Sequence, residues 1–160
     1  MTAPRTGPGS SPGFLLWHVT LRWQRDVSAA LHPLDLTHVQ FVLLATLWWL
    51  AHGDRSAAGP VRPAPSQREL ADLAGTDPMM TSQVLRTLES RLLLERRADP
   101  DDGRIRRVHP TPAGAALARR AIEVVEAVDA QFFAPVDDPE VLLRVLSMLG
   151  RGEGKAGRVP

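Results

Sequence analysis

Residues 66–90, SQRELADLAGTDPMMTSQVLRTLES, predict two short helices joined by a tight turn. Ser66 and Glu69 have the spacing of a capping box, in which a hydroxyl and a carboxylate each accept a backbone N–H at a helix start. Leucine and alanine then give this first helix one apolar stripe. Gly75 predicts its end, because glycine readily adopts the left-handed conformation that is common at helix C-termini.

The second helix is expected to begin directly after this turn. Asp77, or Thr76, is the predicted N-cap, and Pro78 is the predicted first helical residue, where its missing N–H costs nothing. Two helices joined by so short a turn, with a glycine in it, are typical of a helix-turn-helix.

The second helix has two unlike faces at 100° per residue. Val84, Leu85 and Leu88 form an apolar side with Thr81 beside them, which we expect to pack against the first helix. Most of the opposite side consists of residue types that recognise base edges in the major groove. A solvated helix surface is the alternative interpretation. This opposite side comprises Met79, Ser82, Gln83, Arg86 and Ser90.

A β-hairpin is predicted after the second helix. Leu94 to Ala98 and Ile105 to His109 have the length of strands, and the Asp-Gly between them favours a tight turn. A narrow, positively charged hairpin beside such a helix can enter an adjacent minor groove. The alternative is a surface hairpin whose arginines pair with the aspartates of the turn. The arginines concerned are Arg96, Arg97, Arg104, Arg106 and Arg107.

This part of the sequence resembles the MarR family of bacterial transcriptional regulators. Residues 99–104, DPDDGR, followed by Val108, Thr111 and Gly114, are similar to the family's D-P-x-D-x-R…V-x-L-T-x-x-G signature. Residues 82–89, SQVLRTLE, resemble its recognition helix. The order and length of elements are similar from about residue 14 to about residue 150.

Two positions depart from the family pattern. Leu92 stands where the family usually has glycine, so the conformation of the turn between helix and hairpin is not predicted. Pro110 replaces the leucine before the threonine, and we expect it to end the second strand early. Thr111-Pro112 remains a good N-cap and first residue for the following helix.

The resemblance implies a homodimer that binds a pseudo-palindromic operator in double-stranded DNA. Such proteins are usually repressors that a small molecule releases. In the family the hairpin is called the wing. The resemblance also assigns minor-groove contact to Arg104, the arginine at the tip of the wing. The predicted DNA-contact residues are Met79, Thr81, Ser82, Gln83, Arg86, Arg104 and Arg106.

Four more helices are expected around this unit, so the predicted fold is mainly α with a small β-hairpin wing. Thr37 and Gln40 form a second capping box, and the helix they open is apolar nearly all round, which is typical of the centre of a core or an oligomer. The four helices run from Phe14 to about Leu31, from Thr37 to about Ala51, from Pro112 to about Phe133 and from Val141 to Leu149.

A single domain of residues 14–150 is therefore expected, a winged helix-turn-helix flanked by N- and C-terminal dimerisation helices. A two-fold dimer would hold two recognition helices one DNA turn apart, ~34 Å. Alternatively, the terminal helices pack within one chain. The predicted parts are a disordered tail (1–13), dimerisation helices (14–52 and 112–150), a flexible loop (53–65), the DNA-binding lobe (64–111) and a loose tail (151–160).

Composition limits the other functions. The net charge is only +1, and residues 66–114 hold eight arginines and eight acidic residues, so the stretch is not simply basic. The absence of cysteine excludes disulfides and thiolate metal sites. No apolar run reaches the ~18 residues needed to span a membrane, and the N-terminus lacks the apolar core of a signal peptide. We expect a cytoplasmic protein.

An enzyme is not expected, because the sequence has no nucleophile elbow, phosphate loop or HExxH motif. The five histidines are scattered without metal-ligand spacing, so neither a metal nor a cofactor is predicted. The competing hypothesis is a winged-helix module that binds protein, which the formal neutrality of the stretch would suit. Salt dependence distinguishes the two, because contacts with several phosphates weaken steeply with salt.

The family resemblance also implies a small aromatic or phenolic effector, bound between the dimer helices and the DNA-binding lobe. Indoles together with a histidine that meets a carboxylate or phenolate would suit such a ligand. The alternative for these side chains is core packing. The candidate pocket residues are Trp17, His18, Leu21, His38 and Trp48.

Overall fold

The computed structural model describes residues 8–52 and 63–150 and has the predicted mainly α fold with one two-stranded antiparallel sheet. Short 3₁₀ turns at Pro8–Ser10 and His32–Leu34 lie on either side of the first helix. The helices are α1 (Pro12–Leu31), α2 (His38–His52), α3 (Gln67–Ala74), α4 (Pro78–Ser90), α5 (Pro112–Phe132) and α6 (Pro139–Gly150), and the strands are β1 (Leu94–Ala98) and β2 (Arg106–Pro110).

Helix α2 lies at the centre of the core. It contacts α1, α3, α4, α5 and β2, which explains why its sequence is apolar nearly all round. Leu43, Leu44 and Ala45 have no exposed surface. The second capping box is confirmed: the Thr37 amide donates to Gln40 Oε1 at 3.0 Å, and the Gln40 amide donates to the Thr37 hydroxyl at 3.3 Å.

The helix-turn-helix forms as its capping residues predict. The Ser66 amide donates to Glu69 Oε2 at 2.6 Å, and the Glu69 amide donates to the Ser66 hydroxyl at 3.3 Å. Gly75 ends α3 with a φ of 63°, in the left-handed region. Asp77, rather than Thr76, caps α4 by accepting the first free N–H groups of that helix.

The hairpin differs from the prediction in its second strand, which begins and ends one residue later than expected. Pro110 does not end the strand early, because it is the last residue of β2 and lies opposite Leu94. Strand N–H groups alternate in direction, and the Val108 amide points away from β1 to donate to Pro65 O at 2.8 Å. The nitrogen of Pro110 therefore also points away from β1, where no ladder hydrogen bond is lost.

The N-terminal segment is more ordered than predicted from residue 8 onward. Ser11 caps α1 by accepting the Phe14 amide at 3.4 Å, and Pro12 is the first helical residue. The rest of the predicted tail, most of the predicted loop and the whole of the C-terminal tail lie outside the described residues. These undescribed ranges are 1–7, 53–62 and 151–160.

No single helix of the described ranges is long and apolar enough to cross a membrane. By length and composition alone, one pair passes the same test, formed by residues Pro12–Leu34 and His38–His52, and it is bent by 77°.

Candidate nucleic-acid interface

Helix α4 presents two faces, as its sequence predicts. Leu85 and Leu88 have no exposed surface and pack into the core. On the opposite side, Met79 is 76% exposed, and Gln83, Arg86 and Ser90 are exposed, while Ser82 is half-buried. Arg86 lies along the helix, where Nε and Nη2 donate to the main-chain oxygen and hydroxyl of Ser82, each at 3.4 Å.

Thr81 does not belong with this exposed side. Its side chain has no exposed surface, and its hydroxyl donates to Asp77 O at 2.8 Å. The same hydroxyl is hydrogen-bonded to the Thr76 hydroxyl at 2.8 Å. Thr81 therefore joins the turn to the recognition helix from the buried side, and the prediction that it contacts DNA is corrected.

The tip of the hairpin is organised by its own aspartates. Asp99 Oδ1 accepts the amides of Asp101 at 2.8 Å and Asp102 at 3.0 Å, and Asp102 Oδ1 accepts the Arg104 amide at 3.0 Å. The side chains of Arg104 and Arg106 are exposed beyond this turn. Local hydrogen bonds therefore fix the backbone of Arg104, the arginine at the tip of the wing.

The arginines of residues 66–114 divide into two groups of four. One group forms ion pairs: Arg91 with Asp35, Arg96 with Glu89, Arg97 with Glu95, and Arg107 with both Glu69 and Asp99. The other group forms no ion pair with another residue in the described ranges. Its members are Arg68, Arg86, Arg104 and Arg106. Although the net charge of the stretch is zero, four of its cationic side chains are thus exposed and available to a phosphate.

Arg107 follows the alternative predicted for the hairpin arginines, because it pairs with an aspartate of the turn, and its side chain is only 15% exposed. Its Nε donates to Asp99 Oδ2 at 2.6 Å, and its Nη1 donates to Glu69 Oε2 at 2.8 Å. The hydrogen bond from Arg107 is the main reason that the pKa of Asp99 lies below its ordinary value. The pKa of Glu69 is lowered as well, chiefly by the backbone hydrogen bond from Ser66.

Gly114 makes the closest backbone approach in this region. A Cβ at this position would lie 1.7 Å from Leu93 O. The neighbouring Thr111 caps α5, and its amide also donates to Leu93 O at 3.1 Å. The T-x-x-G part of the sequence signature therefore joins the base of the hairpin to the start of α5.

The candidate effector residues do not line one cavity within the single chain. Trp17 is 61% exposed, and His18 and Leu21 share a shallow groove along α1. His38 instead packs edge-on against Trp23, with ring centroids 5.1 Å apart, and burial lowers its pKa. Trp48 stacks on the ring of His52 at 4.8 Å.

A second cleft was not predicted from the sequence. It has a volume of about 300 Å³ and lies between the α1–α2 junction and the end of α4. Arg91 crosses it by donating to Asp35 O at 2.7 Å and pairing with Asp35 Oδ2 at 3.1 Å. Within residues 8–52 and 63–150, no group of three or more histidine and acidic side chains could hold a metal ion.

Comparison with known proteins identifies the family. A family model described as the MarR family matches residues 61–105. The HTH-type transcriptional regulator YdcH of Bacillus subtilis is 40% identical over 149 residues, which cover 92% of this chain and 95% of the relative. The chain belongs to the MarR family. The likeness to YdcH extends well beyond the helix-turn-helix to the helices on both sides of it.

A second relative of this MarR-family chain has solved structures. The HTH-type transcriptional repressor Rv2887 of Mycobacterium tuberculosis is 36% identical over 140 residues, covering 86% of this chain and 92% of the relative. Its complex with DNA has a TM-score of 0.64 at 34% identity, covering 88% of this chain and 98% of the other. Its complex with salicylic acid has a TM-score of 0.65 at 35% identity, covering 88% and 96%.

These relatives are transcriptional regulators rather than enzymes. The MarR-family chain therefore has the winged helix-turn-helix of a transcriptional regulator, with α3 and α4 as the helix pair and β1–β2 as the wing.

Proposed function

We propose that this MarR-family regulator is a homodimeric repressor that binds a pseudo-palindromic operator in double-stranded DNA and leaves it when a small aromatic ligand binds. The main support for DNA binding is the division of the arginines: those on the exposed side of α4 and at the wing tip form no ion pair with a described residue. Rv2887, a relative with the same fold, is a repressor that has been solved with DNA.

In this proposal α4 enters the major groove. Gln83 and Arg86 would hydrogen-bond to base edges, Ser82 to a base or phosphate, and Met79 would contact a thymine methyl. Arg104 would enter the adjacent minor groove, with Arg106 on the neighbouring phosphates. Thr81 would support α4 from the core and touch no DNA.

The exposed apolar surface of the terminal helices supports dimerisation. No residue of α6 is buried, although about half of its side chains are large and apolar, and the N-terminal half of α1 is equally exposed. Apolar surface of this extent marks a protein interface. In our proposal residues 14–52 and 112–150 dimerise, and residues 64–111 bind DNA. The exposed apolar residues are Phe14, Leu15, Leu16, Trp17, Val19, Leu21, Val141, Leu143, Val145, Leu146, Met148 and Leu149.

The effector would bind where dimerisation covers α1. Trp17, His18 and Leu21 lie on one exposed stretch of that helix, so a second chain would be needed to enclose a ligand there. His38 and Trp48 would then contribute only through a rearrangement of the packing around them. The complex of Rv2887 with salicylic acid supports a small aromatic carboxylate as the ligand class.

The test is a fluorescence-anisotropy titration of duplex DNA from upstream of the protein's own gene, against a scrambled duplex, at two salt concentrations. We expect selective binding whose log K falls with log salt by about 0.9 per phosphate contact. Arg104→Ala should weaken binding roughly 5- to 100-fold, as expected for one groove-contacting arginine. Arg119→Ala, an exposed arginine on α5, is the matched control.

Salicylate added to the preformed complex should lower the anisotropy if the ligand part of the proposal holds. Absence of binding to any duplex at low salt would overturn the repressor proposal and favour the protein-binding module, whose interface would weaken much less with salt.

A further inference from the structure

Arg107 lies where the wing meets the helix-turn-helix. It is on β2 opposite Arg97, yet only 15% of its side chain is exposed, compared with 63% for Arg97. Its guanidinium holds two carboxylates that come from different elements, Asp99 at the hairpin turn and Glu69 in the first turn of α3. A planar guanidinium suits such a bridge, because its donors point in fixed directions.

The α3 side of this bridge is anchored in two further ways. Glu69 Oε2, which accepts from Arg107, also accepts the Ser66 amide in the capping box at 2.6 Å. The backbone of β2 runs beside this helix start, with an antiparallel bridge between Ser66 and Arg107. Any tilt of the hairpin relative to α3 would therefore disturb the guanidinium and the backbone together.

The wing side of the bridge leads directly to Arg104. Asp99 uses Oδ2 for Arg107 and Oδ1 for the amides of Asp101 and Asp102. Asp102 then accepts the Arg104 amide. An unbroken series of hydrogen bonds thus joins the start of α3 to the backbone of the wing-tip arginine.

We propose that Arg107 is a positioning residue for DNA binding: it fixes the wing on the helix-turn-helix so that Arg104 and α4 reach their grooves together. Arg107 itself does not touch DNA. This inference rests on the proposed function. Fixing the wing before binding lowers the entropy lost when Arg104 is immobilised against DNA, so affinity depends on a side chain outside the interface.

A double-mutant cycle on the full-length protein tests the coupling. Arg107→Met removes the charge and keeps the length of the side chain, and we expect it to weaken operator binding about five- to tenfold, a substantial part of what one groove-contacting arginine contributes. In the Arg104→Ala background the same change should weaken binding less than about twofold, because the contact that it positions is already gone. Arg119→Met makes the same change in charge at an exposed position of α5, and it should stay dimeric by sedimentation and leave affinity unchanged.

Amide hydrogen exchange of the free protein provides a readout that does not require DNA. In Arg107→Met, the amides of Asp101, Asp102 and Arg104 should exchange about tenfold faster, while those of α2 and α5 keep the wild-type rate. If Arg107→Met does not fold, Asp99→Asn replaces it, because the amide oxygen can still accept from the turn but no longer forms a charged pair with Arg107.

Two results would overturn the inference alone: equal losses from Arg107→Met with and without Arg104, which would mean an independent role, or unchanged wild-type-like affinity and exchange. If the wild-type protein binds no duplex at all, the proposed function fails and the positioning role fails with it. That case is recognised from the wild-type titration before any variant is compared.

Discussion

The DNA-binding lobe and the terminal helices α1 and α6 differ in how much of their surface a single chain packs and caps. In the lobe, both helices of the pair are capped by side chains of the same chain, and Arg107 ties the wing to α3. Helix α6 buries none of its residues, and α1 exposes the apolar side chains of its first half. The lobe is thus specified within one chain, whereas the terminal helices leave apolar side chains exposed that the proposed dimer would cover.

The largest effect is expected at the proposed dimer interface of the terminal helices. Leu143→Asp places a charge in the exposed apolar side of α6, where 64% of the leucine is accessible in the single chain. We expect a monomer by sedimentation equilibrium and operator affinity lower by about 10²-fold or more, because the two lobes no longer bind as a linked pair.

Glu140→Gln on the same helix is the control and should remain a dimer. A Leu143→Asp protein that stays dimeric with wild-type affinity would show that α6 is not part of the dimer interface, and the contrast between the two regions would lose its explanation.

A second change breaks the lobe from inside. Gly114→Ala forces a methyl group into the backbone of Leu93, since even an ideal Cβ would lie 1.7 Å from Leu93 O. We expect a loss of about 1–3 kcal/mol in the free energy of unfolding, or more, measured by urea denaturation. Gly103→Ala is the matched control, because nothing lies within 4 Å of its Cβ position. Equal stability of the two variants would contradict this account of the hairpin–α5 junction.

A substitution at Leu92 is expected to stabilise the lobe rather than to destabilise it. It has a φ of 57° and is 75% exposed, so a leucine occupies a conformation that favours glycine. Leu92→Gly should raise the free energy of unfolding by about 0.5–1 kcal/mol, because relief of the left-handed strain exceeds the extra entropy of the unfolded chain. Leu92→Asn should show a smaller gain, and destabilisation by both variants would mean that the leucine side chain packs favourably where it is.

The smallest effect is a pH dependence confined to the wing. The pKa of Asp99 is lowered mainly by Arg107, and that of Glu69 mainly by the Ser66 amide. Carboxylates with lowered folded pKa values stabilise the wing above their ordinary pKa of about 4, and this stabilisation disappears as pH falls through the lowered values. Protection of the Asp101 amide against exchange should therefore decline below about pH 4. In Asp99→Asn that decline should be weaker, and an identical decline would exclude Asp99 as its cause.

The local capping residues explain why so much of the lobe could be predicted from sequence. Ser66 with Glu69, Gly75, and Asp77 with Pro78 each act within a few residues, so their spacing determines where α3 and α4 begin and end. The predicted second strand ended one residue before the observed one, because a proline was expected to stop the strand. A proline is tolerated at this end since its nitrogen points away from β1.

The site was harder to predict because it depends on which way side chains turn. Thr81 was assigned both to the apolar side of α4 and to the DNA contacts, and its hydrogen bond to Asp77 O on the buried side decides for the first. For Arg107, pairing with a turn aspartate was the alternative prediction, but its bridge to Glu69 was not predicted. The Arg107–Glu69 pair joins residues 38 positions apart in the sequence. Helical or strand periodicity cannot predict a contact between residues so far apart. The effector candidates remain a prediction that depends on a second chain.

The most direct test of the account is the spacing of the operator half-sites. In DNA selected by the wild-type protein from random duplexes, inserting five base pairs at the dyad turns one half-site to the opposite side of the helix. If two recognition helices on a rigid dimer bind one side of the DNA, affinity should fall about 10²-fold or more. Unchanged affinity would contradict the account, because it would mean that each lobe binds DNA without its partner.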